Sequence, residues 1–501
     1  MNPQIMARIR HGPNQAYANE YASVNTRINE QAQELAAKIS SRGYGAKPLA
    51  ASERTDTVNI KGDFPHKTAA TRAGLGWIGR HCQLITRNFG PWVRLGTVFT
   101  DMPAVFEWVD LSQTLRINPE DLHASHTYVD KICPLLRGRE GHIIITLGSG
   151  SITDLVKEAL HVQRIQAPFI TIPTALTVTA FTSSFAVLDF SGAKRTLVCR
   201  PVTATFWVAP FLESAPAPMS RAGYGDLLAR FVAYGDWFLG YKLGVMDRYD
   251  EGPYRLMEPF VAGIKANAPG FTLQPLPPET TACTAAALAM AGIAMSVAGE
   301  TTPLSGFEHV ISHGLDFLHL LSGRELVLHG EQVALGSVFS ARTIDWLLEQ
   351  SIPGSRGWQA ESTEHCLVRL DELLALAPFG DGPLPASFPE KVVAAKQEFH
   401  TEYRKKSERW LKADDQRLAF ASAWTDIKRQ LARLTIRAAE MERLTKQAGL
   451  PIRPGETDPP TMDQEFHWAV RFAPFIRSRM NIADLIFWIG EDPTFIITGN
   501  K

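Results

Sequence analysis

Residues 143–160 read IIITLGSGSITDLVKEAL. Four apolar residues lead into Gly148-Ser149-Gly150-Ser151, and a helical pattern follows. The spacing predicts a fully buried strand, a glycine turn and a helix opening near Ser151. Glycines let backbone approach a pyrophosphate closely, and the free N–H groups of a helix start attract its charge. Ser151 with Asp154 also fits a capping box, so a well-made strand-to-helix turn explains the same residues. The full GxGxxG fingerprint is absent.

Working outward, TLRIN (114–118) reads as a strand and HTYVDKICPLL (126–136) as a helix, which completes a βαβ pattern with HIIITLG (142–148). PFITIPT (168–174) and FAVLDF (185–190) continue an α/β region to about residue 218. From Gly223 onward helical patterning dominates, over 223–244, 282–298, 305–322, 329–350 and 390–448. The charged run QEFHTEYRKKSERWLKADDQR within the last of these predicts a solvated helix face. Upstream, 13–45 alternates at helical spacing and stops at Gly43 and Gly45, and the texture changes again across 102–112. The expected architecture is therefore α/β followed by all-α. It comprises a partial α/β unit (1–105), a truncated nucleotide-binding α/β region (106–218) and a helical metal and substrate domain (219–501). No internal repeat is visible.

Composition narrows the function. The 501 residues carry 51 Lys+Arg against 52 Asp+Glu, a net charge of −1 that excludes bulk attraction to nucleic acid or an anionic membrane. Cys82, Cys133, Cys199, Cys283 and Cys366 are widely scattered, which excludes a disulfide framework or a cysteine-built metal cradle and points to the reducing cytoplasm. The first 24 residues have no apolar core of the kind a signal peptide needs. Residues 167–188 and 280–299 are uncharged, but the first is broken by Pro168 and Pro173 and the second lacks basic or aromatic flanks. Neither is expected to span a membrane.

Two further patterns carry chemistry. Hydroxyls at Thr174, Thr177, Thr179, Thr182, Ser183 and Ser184 line an otherwise apolar loop, fit either for a ribose or carboxamide or for their own backbone. Glu308-His309-Val310-Ile311-Ser312-His313 sets two imidazoles four residues apart on one helical face, with Asp226 and His329 elsewhere in the helical half. One Asp and two His give zinc three ligands and leave a position open for a substrate oxygen. A lone HxxxH also arises by coincidence, and this is not HExxH.

From about residue 112 to 500 the chain resembles the bacterial sn-glycerol-1-phosphate dehydrogenases, relatives of glycerol dehydrogenase and dehydroquinate synthase. The matching pieces are LGSGSITDLVK, IPTALTVTAFTSSFAVLDFSGAKRTL, SRAGYGDLLARFVAYGDWFLG, PLSGFEHVISHGLD and LHGEQVALG, with FAPFIRSRMNIADLIFWIGED similar to the family's helical tail. The resemblance implies an NAD- or NADP-dependent reduction of dihydroxyacetone phosphate to glycerol 1-phosphate. It assigns Gly148, Ser149, Gly150 and Asp154 to the pyrophosphate, and Thr174, Thr177 and Ser183 to the nicotinamide side. Asp226, His309 and His329 would hold a metal, zinc or sometimes nickel, and His313 would contact substrate. Lys194 and Arg195 in GAKR suit a phosphate or a solvated turn. The family commonly forms dimers or larger assemblies, so homo-oligomerisation is implied as well.

Two departures stand out. Thr179 occupies a substrate-contacting position where the family carries Asp or Asn. The family's first βαβ portion, which cradles adenosine, is replaced by residues 13–103. That segment, AGLGWIGR above all, resembles the epoxyqueuosine reductases, which bind cobalamin and two iron–sulfur clusters, but the cysteine clusters are missing. That family's catalytic aspartate would fall near Ile60, with Asp63 the closest carboxylate. The leading expectation is a metal-dependent polyol-phosphate dehydrogenase. The alternative is a catalytically weakened fusion whose N-terminal part binds a corrinoid or a partner.

Overall fold

A computed structural model describes residues 15–41, 43, 45–51, 77–78, 84–85, 97–100, 124–190, 193–351, 362–380 and 382–498. The chain divides into two compact units, residues 1–117 and 118–501. In the first, helix α1 (Gln15–Ser40) buries Val24, Ala32, Ala36 and Ile39 along one stripe, as its periodicity predicts. Strand β1 (Ala46–Leu49) pairs antiparallel with β4 (Thr97–Thr100), and the two-residue strands β2 (Trp77–Ile78) and β3 (Leu84–Ile85) pair with each other. The rest of AGLGWIGR, Ile60, Asp63, the 102–112 transition and the strand expected at 114–118 lie outside the described residues.

The second unit opens with α2 (His126–Leu136), β5 (Ile144–Gly148), α3 (Gly150–Val162) and β6 (Phe169–Pro173). β5 and β6 run parallel, joined through α3, and β9 (Ala204–Thr205) adds a third parallel strand in the order β5-β6-β9. Between them β7 (Phe185–Phe190) and β8 (Ala193–Val198) form an antiparallel hairpin that carries Lys194 and Arg195.

Two expectations change here. Among the described residues β5 is an edge strand, and Ile143, Ile145 and Leu147 are 61%, 40% and 48% exposed, so the stretch read as fully buried is buried on one face only. Side chains alternate across a strand, and Thr146 takes the covered face. The capping box is also absent. α3 begins at Gly150 behind Ser149, with no side-chain cap. Asp154 instead pairs with buried Lys157 at 2.8 Å and accepts the Val187 N–H at 3.0 Å.

The helical half runs through α4 (Ala209–Ser214), α5 (Ala217–Leu228), α6 (Ala233–Lys242), α7 (Gly252–Asn267), α8 (Pro278–Ala298), α9 (Phe307–Ser322) and α10 (His329–Glu349). It continues with α11 (Thr363–Ala375), α12 (Phe388–Leu411), α13 (Asp414–Ser422), α14 (Trp424–Leu434), α15 (Ala438–Gln447), α16 (Asp463–Ile476), α17 (Ile482–Trp488) and α18 (Phe495–Thr498). The continuous pattern over 390–448 thus breaks into four helices. Its charged run is not wholly solvated: Lys406 is fully buried against Asp484 at 2.7 Å, and Phe399, Tyr403 and Trp410 join the core. α7 forms although Pro253 and Pro259 interrupt its helical pattern.

α9 is the axis of this half. It packs on α10 and α16 and buries nearly every residue from Phe307 to Leu321. α8 is long and apolar enough to cross a membrane by length and composition, and just over half of its most apolar stretch is buried inside the protein. Part of its lack of charge serves the Thr179–Ser184 loop: the Ala289 carbonyl accepts from Thr182 Oγ1 at 2.7 Å, and Ser296 Oγ accepts from the Ser184 N–H at 2.8 Å.

Candidate functional site

Three elements converge. α9 supplies His309 and His313 on one face, α10 begins at His329, and α5 carries Asp226 near its end. Two glycines let α5 and α10 meet backbone to backbone. A Cβ on Gly225 would lie 2.0 Å from the Gly330 carbonyl oxygen, and one on Gly330 would lie 1.7 Å from that of Ala222. Each glycine is the immediate neighbour of a site residue, Asp226 or His329.

His309 Nε2 lies 3.1 Å from Asp226 Oδ1, and His329 Nε2 lies 3.8 Å from the same oxygen. One donor atom from each of the three falls within 4.8 Å of the others. Ligands on a tetrahedral zinc at ~2.05 Å sit about 3.3 Å apart, so the cluster fits such an ion with small adjustments.

The outer hydrogen bonds fix which nitrogen faces inward. His309 Nδ1 lies 2.9 Å from Glu308 Oε1, a carboxylate that only accepts, so His309 donates from Nδ1 and turns the Nε2 lone pair toward Asp226. Ser312 Oγ donates to Gln332 Oε1 at 2.6 Å and is 3.2 Å from His329 Nδ1, which therefore donates to it. Gln332 Nε2 donates to Asp316 Oδ1 at 3.1 Å, and Asp316 pairs with Lys194 at 2.5 Å. Two imidazole lone pairs thus face one carboxylate oxygen, an arrangement that calls for a cation between them.

Without a metal, a proton takes that place. Burial opposes the charge on His309, but Asp226 and Glu308 overcome it and raise its pKa to about 9. Burial and the His309 charge lower His329 to about 4. Burial would raise Asp226, yet His309 and His329 hold its carboxyl below the usual range.

The glycine turn adjoins this cluster. A Cβ on Gly150 would lie 2.2 Å from Val178 Cγ2, and the next residue, Thr179, donates its backbone N–H to Asp226 Oδ2 at 3.2 Å. Thr174 donates its N–H to the Gly148 carbonyl at 3.1 Å, and the Thr177 hydroxyl is buried with no partner among the described residues. Asp154 and Ser183 are otherwise engaged. Asp154 holds Lys157, while Ser183 Oγ accepts the Phe185 N–H at 2.9 Å in a local turn. Ser149 flanks the turn as the residue before α3. Lys194 and Arg195 each pair with a carboxylate, Asp316 and Glu398, both at 2.5 Å.

His313 lies beside the cluster, its ring centroid 6.4 Å from that of His329. A guanidinium nitrogen of Arg477 lies 3.3 Å from His313 Nε2, so that nitrogen accepts and the proton sits on Nδ1. Nδ1 is buried and has no partner among the described residues. Burial, then the Arg477 and Lys194 charges, push the His313 pKa well below the ordinary value. Sequence reading did not single out Arg477, Glu308 or Ser312. Glu308 and Ser312 were in view beside the histidines, whereas Arg477 is 164 residues from its partner.

Residues 110–216 match the iron-containing alcohol dehydrogenase family. More narrowly, the chain is similar to glycerol-1-phosphate dehydrogenases. It is 29% identical to glycerol-1-phosphate dehydrogenase [NAD(P)+] of Pyrococcus furiosus over 226 residues, 44% of this chain and 61% of that one. It is 31% identical to the enzyme of the same name from Sulfurisphaera tokodaii over 225 residues, 44% of this chain and 62% of that one. The chain thus spans about three fifths of the length of these curated relatives. A probable glycerol dehydrogenase from Sinorhizobium meliloti superimposes with a TM-score of 0.44 at 16% identity, over 75% of this chain and 83% of that one.

Proposed function

We propose that the protein is a metal-dependent, NAD(P)-linked dehydrogenase that interconverts dihydroxyacetone phosphate and sn-glycerol 1-phosphate. The observation that carries this reading is the backbone bond from Thr179 to Asp226, which ties the glycine-turn side of the fold to the Asp226–His309–His329 cluster. Hydride transfer needs both on one side of a cleft. The names of the related enzymes supply the substrate.

In this reading Asp226, His309 and His329 hold a zinc-like ion, and Gly148, Ser149 and Gly150 present their backbone to the dinucleotide phosphates. The bound metal supplies Lewis-acid polarisation of the ketone oxygen, and bound NAD(P)H supplies hydride. Glu308 and Ser312 keep both imidazole Nε2 atoms turned inward by accepting from the Nδ1 atoms. His313 stays neutral and offers its Nδ1–H to a substrate oxygen. Thr177, whose hydroxyl lacks a partner among the described residues, and Thr174 are the side chains left for the nicotinamide end.

Metal analysis of the purified protein, combined with NADH and NADPH oxidation on dihydroxyacetone phosphate, tests the proposal. About one divalent ion per chain and turnover that His309→Ala abolishes are expected. A protein that holds one ion and binds neither nucleotide would sink it.

A further inference from the structure

Arg477 is a cation with no carboxylate in direct contact among the described residues. It sits in the segment between α16 and α17, half-buried, and among the described residues it pairs with no carboxylate. Its Nε is buried with no hydrogen-bond partner, and its one described side-chain bond is the donation to His313 Nε2. The neighbouring charged groups already have partners of their own. Lys194 pairs with Asp316 and Arg195 with Glu398. Glu402 is held by Lys405 at 2.8 Å and by the Ser478 N–H at 3.0 Å. Arg479 donates to the Thr301 and Ser305 hydroxyls at 2.8 and 2.6 Å. Burial first, then the Arg479 and Arg195 charges, lower the Arg477 pKa to about 9, although the more distant Glu398 and Glu402 charges act in the opposite direction.

A guanidinium whose Nε is buried without a partner is costly unless an anion joins it. Its planar fork suits a phosphate, which two parallel N–H donors can grip at once. Its only described hydrogen bond is to His313, whose ring lies beside that of His329 and whose Nδ1 is buried with no partner among the described residues.

We propose that Arg477 anchors the phosphate of a short phosphorylated ketone or polyol whose carbonyl end lies at the Asp226–His309–His329 cluster. This rests on the dehydrogenase reading for the identity of the substrate and on Arg477 alone for the anion. His313 then lies between the two ends and fixes the substrate's direction. Lys194 and Arg195, the basic pair visible in the sequence, shape the surroundings through their carboxylate partners and do not hold the phosphate.

The test is direct binding of inorganic phosphate, glycerol 1-phosphate and glycerol to the wild-type protein and to Arg477→Gln, by calorimetry at fixed ionic strength. Wild type is expected to bind both phosphates and Arg477→Gln to lose at least about tenfold in affinity for each, with NAD(P)H affinity unchanged. Equal phosphate binding by the two proteins would overturn the proposal, and so would a loss confined to NAD(P)H. If Arg477→Gln fails to fold, phenylglyoxal labelling of the unaltered protein replaces it. Phosphate should shield the Arg477 peptide, and labelling indifferent to phosphate would refute the assignment. The two readings fail separately. Arg477-dependent phosphate binding without turnover rejects only the dehydrogenase, whereas normal turnover by Arg477→Gln rejects only the anchor.

Discussion

Gly225 and Gly330 touch backbone to backbone, with the position of a Gly225 Cβ only 2.0 Å from the Gly330 carbonyl oxygen. Asp226 follows the first and His329 precedes the second, so the contact sets the separation of two of the three cluster residues. The helices cannot approach this closely with any side chain at the crossing. Gly225→Ala should therefore cost about 3 kcal/mol or more of stability and reduce the bound metal well below one ion per chain. Urea unfolding and metal analysis of the variant check both effects. A stable variant with a full complement of metal would show that the crossing does not position the site.

The cluster makes stability depend on pH in a metal-free sample. His309 has a folded pKa near 9 against an ordinary 6.5, so its contribution is complete below 6.5 and is lost as pH rises through 9. His329 is depressed to about 4 from 6.5, so its contribution is complete above 6.5 and is lost as pH falls through 4. Shifts of this size are worth roughly 3 kcal/mol each. Chelator-treated protein should be most stable near pH 6.5, and zinc should remove the alkaline decline by taking the place of the His309 proton. Melting curves from pH 5 to 9.5 with and without zinc measure this, and metal-free stability that keeps rising to pH 9 would contradict it.

Legibility followed sequence distance. Asp226, His309 and His329 were readable because each lies in a compact motif whose residue types already suggest a ligand. The glycines beside them were visible, but their purpose was not, since a close helix crossing exists only in three dimensions. Asp154 misled because Ser151-x-x-Asp154 fits a capping box, while the decisive partner, Lys157, is three residues further on and looks like an exposed charge in a helix. Arg477 lay in a stretch matched only as a helical tail. Nothing local marks an arginine whose single described hydrogen bond is to a histidine on α9.

Lys406 and Asp484 form a fully buried pair, 2.7 Å apart, in which Lys406 also donates to the Pro474 carbonyl and Asp484 accepts the Asn481 N–H at 2.8 Å. Removing one member strands the other charge. Lys406→Met and Asp484→Asn should each cost about 3–5 kcal/mol. Lys406→Met with Asp484→Leu should recover much of that loss, because no buried charge remains. Denaturation midpoints of the three variants decide the point, and a double variant no better than the singles would mean that the hydrogen bonds to Pro474 and Asn481 matter more than the charges.

Gly150 opens α3 with its Cα facing Val178, and a Cβ there would lie 2.2 Å from Val178 Cγ2. Because Thr179, the next residue, donates to Asp226, pressure on Val178 reaches the metal cluster as well as the glycine turn. Gly150→Ala should therefore lower nicotinamide nucleotide affinity, shift metal affinity with it and destabilise the protein by about 1–3 kcal/mol. Val178→Ala removes the atom that the new Cβ would strike, so the double variant Gly150→Ala/Val178→Ala should regain most of the stability and metal binding. Nucleotide affinity should recover in the double variant only if the loss came from displaced backbone. If the added methyl instead blocks the approach of a pyrophosphate, stability will return while nucleotide binding stays weak. Fluorescence titration with NADH and NADPH on all three proteins separates the two causes. Unchanged nucleotide binding in Gly150→Ala would remove the glycine turn from the cofactor site altogether.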